Sequence, residues 1–153
     1  MKYKCGNGSE IIEAENFDMC LTSPPYFDLE TYSNNKDDLS TQSYSSFLDN
    51  LADIFMGIYM QLKNNSFCVV KMGEVRREDG AYLGLVPDFV KLMTNACHFK
   101  YYNEIILINQ SGSGSLRAAG NMKSRKVVKC HQNVLVFYKG DISQIKNKFE
   151  VLR

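Results

Sequence analysis

Ser23-Pro24-Pro25-Tyr26 stands at the end of the run Asp18-Met19-Cys20-Leu21-Thr22. The run reads as a buried strand, and the two prolines stop it, because proline has no amide hydrogen with which to continue a ladder. Each proline also drives the residue before it towards extended geometry, so Ser23 and Pro24 keep little torsional freedom. A rigid tip carrying a hydroxyl, followed by the rings of Tyr26 and Phe27, suits a site that grips something flat.

Two further groups could join this tip. Ser66-Phe67-Cys68-Val69-Val70-Lys71-Met72 reads as a second buried strand, and Gly73-Glu74-Val75-Arg76 follows it. Ligands of open parallel sheets bind beyond the carboxyl ends of the strands, which makes Glu74 and Arg76 pocket candidates. Phe27 and His131 are the other two. Residues 111–132 contain no acid and carry Arg117, Lys123, Arg125, Lys126 and Lys129. This segment reads as a basic loop in which glycines allow close approach and Arg117, Lys123, Arg125 and Lys126 meet nucleic-acid phosphate; a solvated flexible loop is the bland alternative. The strand before Gly112-Ser113-Gly114 faintly mimics a nucleotide-binding fingerprint, but the third glycine is missing.

The elements that must hold these residues follow from periodicity. Phe47, Leu48, Leu51, Ile54, Phe55, Ile58, Tyr59 and Leu62 recur at helical spacing, and Lys63-Asn64-Asn65 ends the pattern. That helix joins the first two strands as a parallel crossover. Pro87 opens a second helix with Phe89, Val90, Leu92, Met93 and Ala96 on its buried face. Residues 99–109 and 133–139 read as two more strands. Residues 1–5 suggest a short edge strand, 6–9 a turn, 10–15 a helical turn, 28–38 a mobile loop, and the tail from Asp141 a short exposed helix.

At 153 residues the chain is expected to form one domain. Its 44% hydrophobic and 23% charged residues are ordinary for a globular protein, and a net charge of +1 confines any basic surface to a local patch. Five scattered cysteines without a Cys-x-x-Cys pair suggest reduced thiols and a cytoplasmic setting. Cys130 and His131 are an adjacent pair of metal-binding candidates, but such sites are normally closed by four ligands, so no metal site is expected. Nothing approaches the ~20 apolar residues of a membrane span, and no signal-peptide core opens the chain.

Ser23-Pro24-Pro25-Tyr26 resembles motif IV of the DNA amino-methyltransferases, in which Asp, Asn or Ser precedes Pro-Pro and an aromatic residue. The resemblance extends through Phe27 to Ser33, Gly73-Glu74-Val75-Arg76, Tyr101-Tyr102-Asn103-Glu104, Leu116-Arg117-Ala118 and His131 to Asp141, and looks like the catalytic part of phage- and mobile-element-type DNA methylases. It implies an α/β fold: the catalytic half of a Rossmann-like methyltransferase sheet, with helices on its faces and a C-terminal antiparallel hairpin. It implies methyl transfer from S-adenosylmethionine to the exocyclic amine of cytosine (N4, towards which serine leans) or adenine (N6). Ser23 and the Pro24 carbonyl would draw the amine towards tetrahedral geometry, Pro25 would hold the tip, and Tyr26 would stack on a base flipped out of the duplex. Asn7, Thr22 and Ser23 would lie on the cofactor side. The family's glycine-rich cofactor segment, roughly Asp-Pro-Phe-x-Gly-x-Gly, has no counterpart here, so a homodimer or a partner chain is expected to complete that site and to cover an exposed sheet edge. The alternatives are a catalytically inactive nucleic-acid-binding or regulatory module, and a small α/β domain whose prolines only make a turn.

Overall fold

The computed structural model describes residues 16–29, 39–108 and 114–150. The expected elements in 1–15, with Asn7, and the loop over 30–38 lie outside them.

Four strands form one sheet. β1 (Phe17–Thr22) pairs in parallel with β2 (Leu62–Met72), and α1 (Tyr44–Gln61) connects them. After α2 (Leu85–Asn95), β3 (Lys100–Ile108) runs out along the far edge. α3 (Gly114–Lys123) then leads into β4 (His131–Lys139), which returns antiparallel between β2 and β3, giving the order β1-β2-β4-β3. The C-terminal antiparallel pair is thus present, and the second of its strands is inserted beside β2. A short helix α4 (Ile145–Lys148) follows.

Local sequence explains the helices. Ser43 caps α1 by accepting the Ser46 amide at 3.2 Å. One stripe, Phe47, Leu51 and Phe55, is buried and faces the sheet. At the other end, the Lys139 ammonium donates to the carbonyls of Tyr59 (2.6 Å) and Leu62 (2.5 Å), cations being favoured where helix carbonyls lack partners. α2 buries Leu85, Phe89 and Met93 at four-residue spacing. Phe89 joins the layers, its ring centroid 5.0 Å from Phe55 on α1 and 6.0 Å from Phe137 on β4.

Burial along β2 alternates, with Ser66, Cys68, Val70 and Met72 under the helices. On the opposite face, register places Met19, Leu21, Val69, Val136, Val134, Ile105 and Leu107 across all four strands. Leu21 is 68% exposed and Ile105 57% exposed, so among the described residues this face is open towards its β1 and β3 edges, while further along it Phe149 of the C-terminal segment packs on Phe67 at 5.2 Å. β1 is an edge strand of the described sheet.

Among the boundaries that differ from the sequence reading, three have a local cause. Residues 114–123 of the expected basic loop form α3: Leu116, Arg117, Ala118, Ala119, Met122 and Lys123 are good helix formers and outweigh Gly120. β2 starts at Leu62, which pairs with Phe17; the register then breaks and resumes at Met19 and Phe67, with Asn65 at a left-handed φ of 62° inside the irregularity. α2 starts at Leu85, so Pro87 is its third residue, still within the turn whose amides have no intrahelical partner.

Candidate active site

The tip sits at the carboxyl end of β1. Ser23 is exposed, and Pro24, Pro25 and Tyr26 are half-buried. Tyr26 folds back over β2, where its hydroxyl donates to the Lys71 carbonyl at 3.5 Å and lies 3.3 Å from Ser23 Oγ. Either hydroxyl can donate in the Ser23–Tyr26 pair, and when Tyr26 gives its proton to the Lys71 carbonyl, Ser23 can donate to the tyrosine oxygen. The lone pairs of Ser23 Oγ are then left to accept from a ligand.

Gly73 is the seat of the Tyr26 ring. A Cβ there would lie 3.1 Å from Tyr26 Cε2, tighter than a relaxed contact. Sequence reading missed this role, although a glycine directly after a strand that ends beside the tip was the available signal. Phe27 takes a left-handed φ of 57°, which costs about 1–2 kcal/mol in a residue with a Cβ. Its ring repays this by packing edge-on to Tyr44 (5.2 Å) and Phe47 (5.4 Å). Phe27 therefore turns away from the tip and anchors it to α1.

Glu74 follows Gly73 and does two things. Oε1 accepts the amides of Leu85 (2.8 Å), Gly84 (3.0 Å) and Val75 (3.2 Å), capping α2, whose own N-cap is Gly84 with φ 90° and no side chain to offer. Among the described residues Oε2 has a single long contact, to the Val86 amide at 3.4 Å, and Glu74 lines a cleft of about 620 Å³. His131, Lys129 and Asn133 line the same cleft, with Val127 and Tyr82. Lys129 donates to Asn133 at 3.1 Å, and Asn133 donates to Glu104. Burial pushes the Lys129 ammonium below its usual value, against the opposing pull of Glu74 and Glu104.

The other candidates disperse. The Arg76 guanidinium donates to the Gly80 carbonyl at 2.7 Å and stacks 4.1 Å from the centre of the Tyr82 ring. Lys126 Nζ fills the space that a Cβ at Gly80 would need, so this cation lies against the 76–82 hairpin. Arg117, Lys123 and Arg125 are exposed. Thr22, half-buried, precedes Ser23 on β1. Cys20 and Cys68 are register partners across β1 and β2; the Cys68 thiol is held protonated by its hydrogen bond to Cys20 and by burial. Among the described residues, no three metal-binding side chains gather, and no helix is long and apolar enough to cross a membrane.

The fold of this chain is similar to that of solved DNA methyltransferases. PvuII DNA methyltransferase, cytosine-N4-specific, superposes with a TM-score of 0.66 at 17% identity, over 95% of this chain and 53% of that one. TTHA0409 of Thermus thermophilus, provisionally assigned as a DNA modification methylase and solved with S-adenosyl-L-methionine, gives 0.63 at 18% identity over 89% and 54%. The chain thus spans about half the length of these structures. No curated protein matches it by sequence. The model of the N6/N4-type DNA methylases matches residues 17–152, almost all of the sheet and helices described above, and on that match the chain belongs to the DNA methylase family.

Proposed function

We infer that this chain is the catalytic half of an S-adenosylmethionine-dependent DNA methyltransferase acting on the exocyclic amine of cytosine (N4) or adenine (N6). The observation that carries the reading is the exposed Ser23 hydroxyl at the end of β1, 3.3 Å from the Tyr26 hydroxyl, in a chain of this family. An exocyclic amine is a poor nucleophile because its lone pair is delocalised into the ring. Ser23 Oγ and the Pro24 carbonyl would accept hydrogen bonds from its two N–H groups, localising the lone pair on nitrogen. The prolines keep both acceptors rigid, so little reorganisation is needed at the moment of transfer. Tyr26 would offer its ring to the flipped base, offsetting part of the few kcal/mol that unstacking costs.

S-adenosylmethionine would supply an electrophilic sulfonium methyl. Of the three residues proposed to hold it, Thr22 and Ser23 stand at the carboxyl end of β1, which is an incomplete cradle. Asn7, the third residue proposed for it, lies outside the described residues. Completion by a second copy or by a partner chain is supported by the β1 edge and by the apolar face beside it. The thiols of Cys20, Cys68, Cys97 and Cys130 are free, in keeping with a cytoplasmic setting. Exposed Arg117, Lys123 and Arg125 are proposed to contact DNA phosphate.

The incomplete cradle also supports a second reading, a methylase-like nucleic-acid-binding module without transfer. Titration with S-adenosylmethionine, alone and with neighbouring gene products, followed by nucleoside analysis of DNA treated with the labelled methyl donor, separates the two. Methylated cytosine or adenine establishes the enzyme. Absence of donor binding under both conditions overturns it and leaves the binding module.

A further inference from the structure

None of Ser23, Pro24, Pro25 and Tyr26 lines the cleft beside Glu74, and its lining is specific. Its volume falls within the ~300–1,000 Å³ of small-ligand sites. Apolar walls, among them Val127 and Pro87, face a carboxylate, an ammonium and an imidazole. Each polar group has capacity to spare. Glu74 Oε2 has its one long contact, Lys129 Nζ has one acceptor in Asn133, and His131 has no hydrogen bond to a described residue. At the edge, the Tyr82 ring is 44% exposed and has the Arg76 guanidinium on one face, leaving the other for a stacked partner.

These features describe a flat, polar-edged ligand. A phosphate would be repelled by Glu74, and an apolar ligand would leave three polar groups without partners. A nucleobase meets both demands, because it is flat and its edge carries donors for the carboxylate beside acceptors for the ammonium. The position is also apt. Glu74 directly follows Gly73, the seat of Tyr26, so the cleft opens one strand over from the tip.

We propose that this cleft is a second nucleotide pocket, which takes an unstacked base adjacent to the one presented at Ser23 and so contributes to sequence preference. The proposal rests on the DNA-methylase reading above. Tyr82 and His131 are its contact residues, and Val127 forms its mouth.

The test uses the full chain and fluorescein-labelled single-stranded oligonucleotides of roughly eight nucleotides: oligo-dA, oligo-dC, oligo-dT and an abasic strand with the same number of phosphates. Anisotropy should show the wild type binding at least one base-bearing strand about 5-fold or more tightly than the abasic strand, as one stacked base implies. Val127→Trp fills the mouth from a position that is 81% exposed, so folding is not at stake. It should weaken base-bearing strands about 5-fold and leave the abasic strand unchanged, the preference that remains belonging to Tyr26, and Tyr82→Ala should act in the same direction. If Val127→Trp weakens all strands equally, or none, the pocket is refuted. Equal binding of base-bearing and abasic strands by the wild type refutes the pocket and leaves the DNA reading standing. Binding of no strand overturns both.

Discussion

Replacing Glu74 by alanine removes the acceptor of three backbone amides at 2.8–3.2 Å, two of them at the start of α2. No other side chain can take over, since the N-cap is glycine in a left-handed conformation. Losing an N-cap costs ~0.5–2 kcal/mol, and losing a negative charge at a helix amino end ~0.3–1 kcal/mol. Part of the second effect survives, because Asp88 remains in the first turn. The site is only half-buried, so water recovers some of the amides, and the net loss should be about 2 kcal/mol. For a chain of this length that lowers Tm by about 4–8 °C. Glu74→Gln keeps an oxygen acceptor in place and loses only charge, so it should cost about 0.5–1 kcal/mol. Urea titrations followed by circular dichroism measure both. A loss below ~0.5 kcal/mol in the alanine variant would show that solvent replaces the cap freely, and equal losses in the two variants would show that charge outweighs hydrogen-bond geometry; either result refutes the capping argument.

Other positions give equally definite expectations. Gly73→Ala should leave stability within ~1 kcal/mol and lower methyl transfer about tenfold or more, because the ring on which Ser23 leans must shift by a few tenths of an ångström; unchanged single-turnover transfer would refute Gly73 as its seat. Phe89→Ala removes the ring between Phe55 and Phe137 and should cost about 3–5 kcal/mol in urea unfolding, against less than ~1 kcal/mol for an exposed control. The Tyr44 phenol is pushed above its usual 10.0 by burial and by its hydrogen bond to Asp88. The unfolded chain therefore releases this proton first, stability falls as pH rises past about 10, and Tyr44→Phe should show a smaller fall between roughly pH 9 and 11 in the urea midpoint.

Much of this arrangement was legible in the sequence. The two prolines after Thr22 mark the end of β1 whatever the strand pairs with, because a missing amide is a local property. The α1 stripe and the alternation along β2 are likewise written in single segments. The insertion of β4 between β2 and β3 was not readable, since periodicity states which face is buried and says nothing about which neighbour shares the ladder. Glu74 shows the same limit. A charge just past a strand was recognisable as a pocket candidate, but its capping role depends on amides ten and eleven residues away that only the fold brings near. Phe27 looked like part of the tip because it follows Tyr26; its left-handed backbone sends it into the helix packing instead.

The place of β4 in the sheet also bears on how the chain is made. β3 touches the rest of the sheet only through β4, yet β4 is synthesised after it. A ribosome that has released residues up to about 130 therefore carries a β1–β2 unit with α1 packed on it and an apolar β3 without a strand to join. Closure waits for His131 to Lys139 to emerge and slot between two strands already present, a contact of long sequence separation that is slow to form. Nascent chains halted before residue 131 should be cut by protease within β3, whereas chains extended past Asp141 should resist; early protection of β3 would show that it finds another partner first.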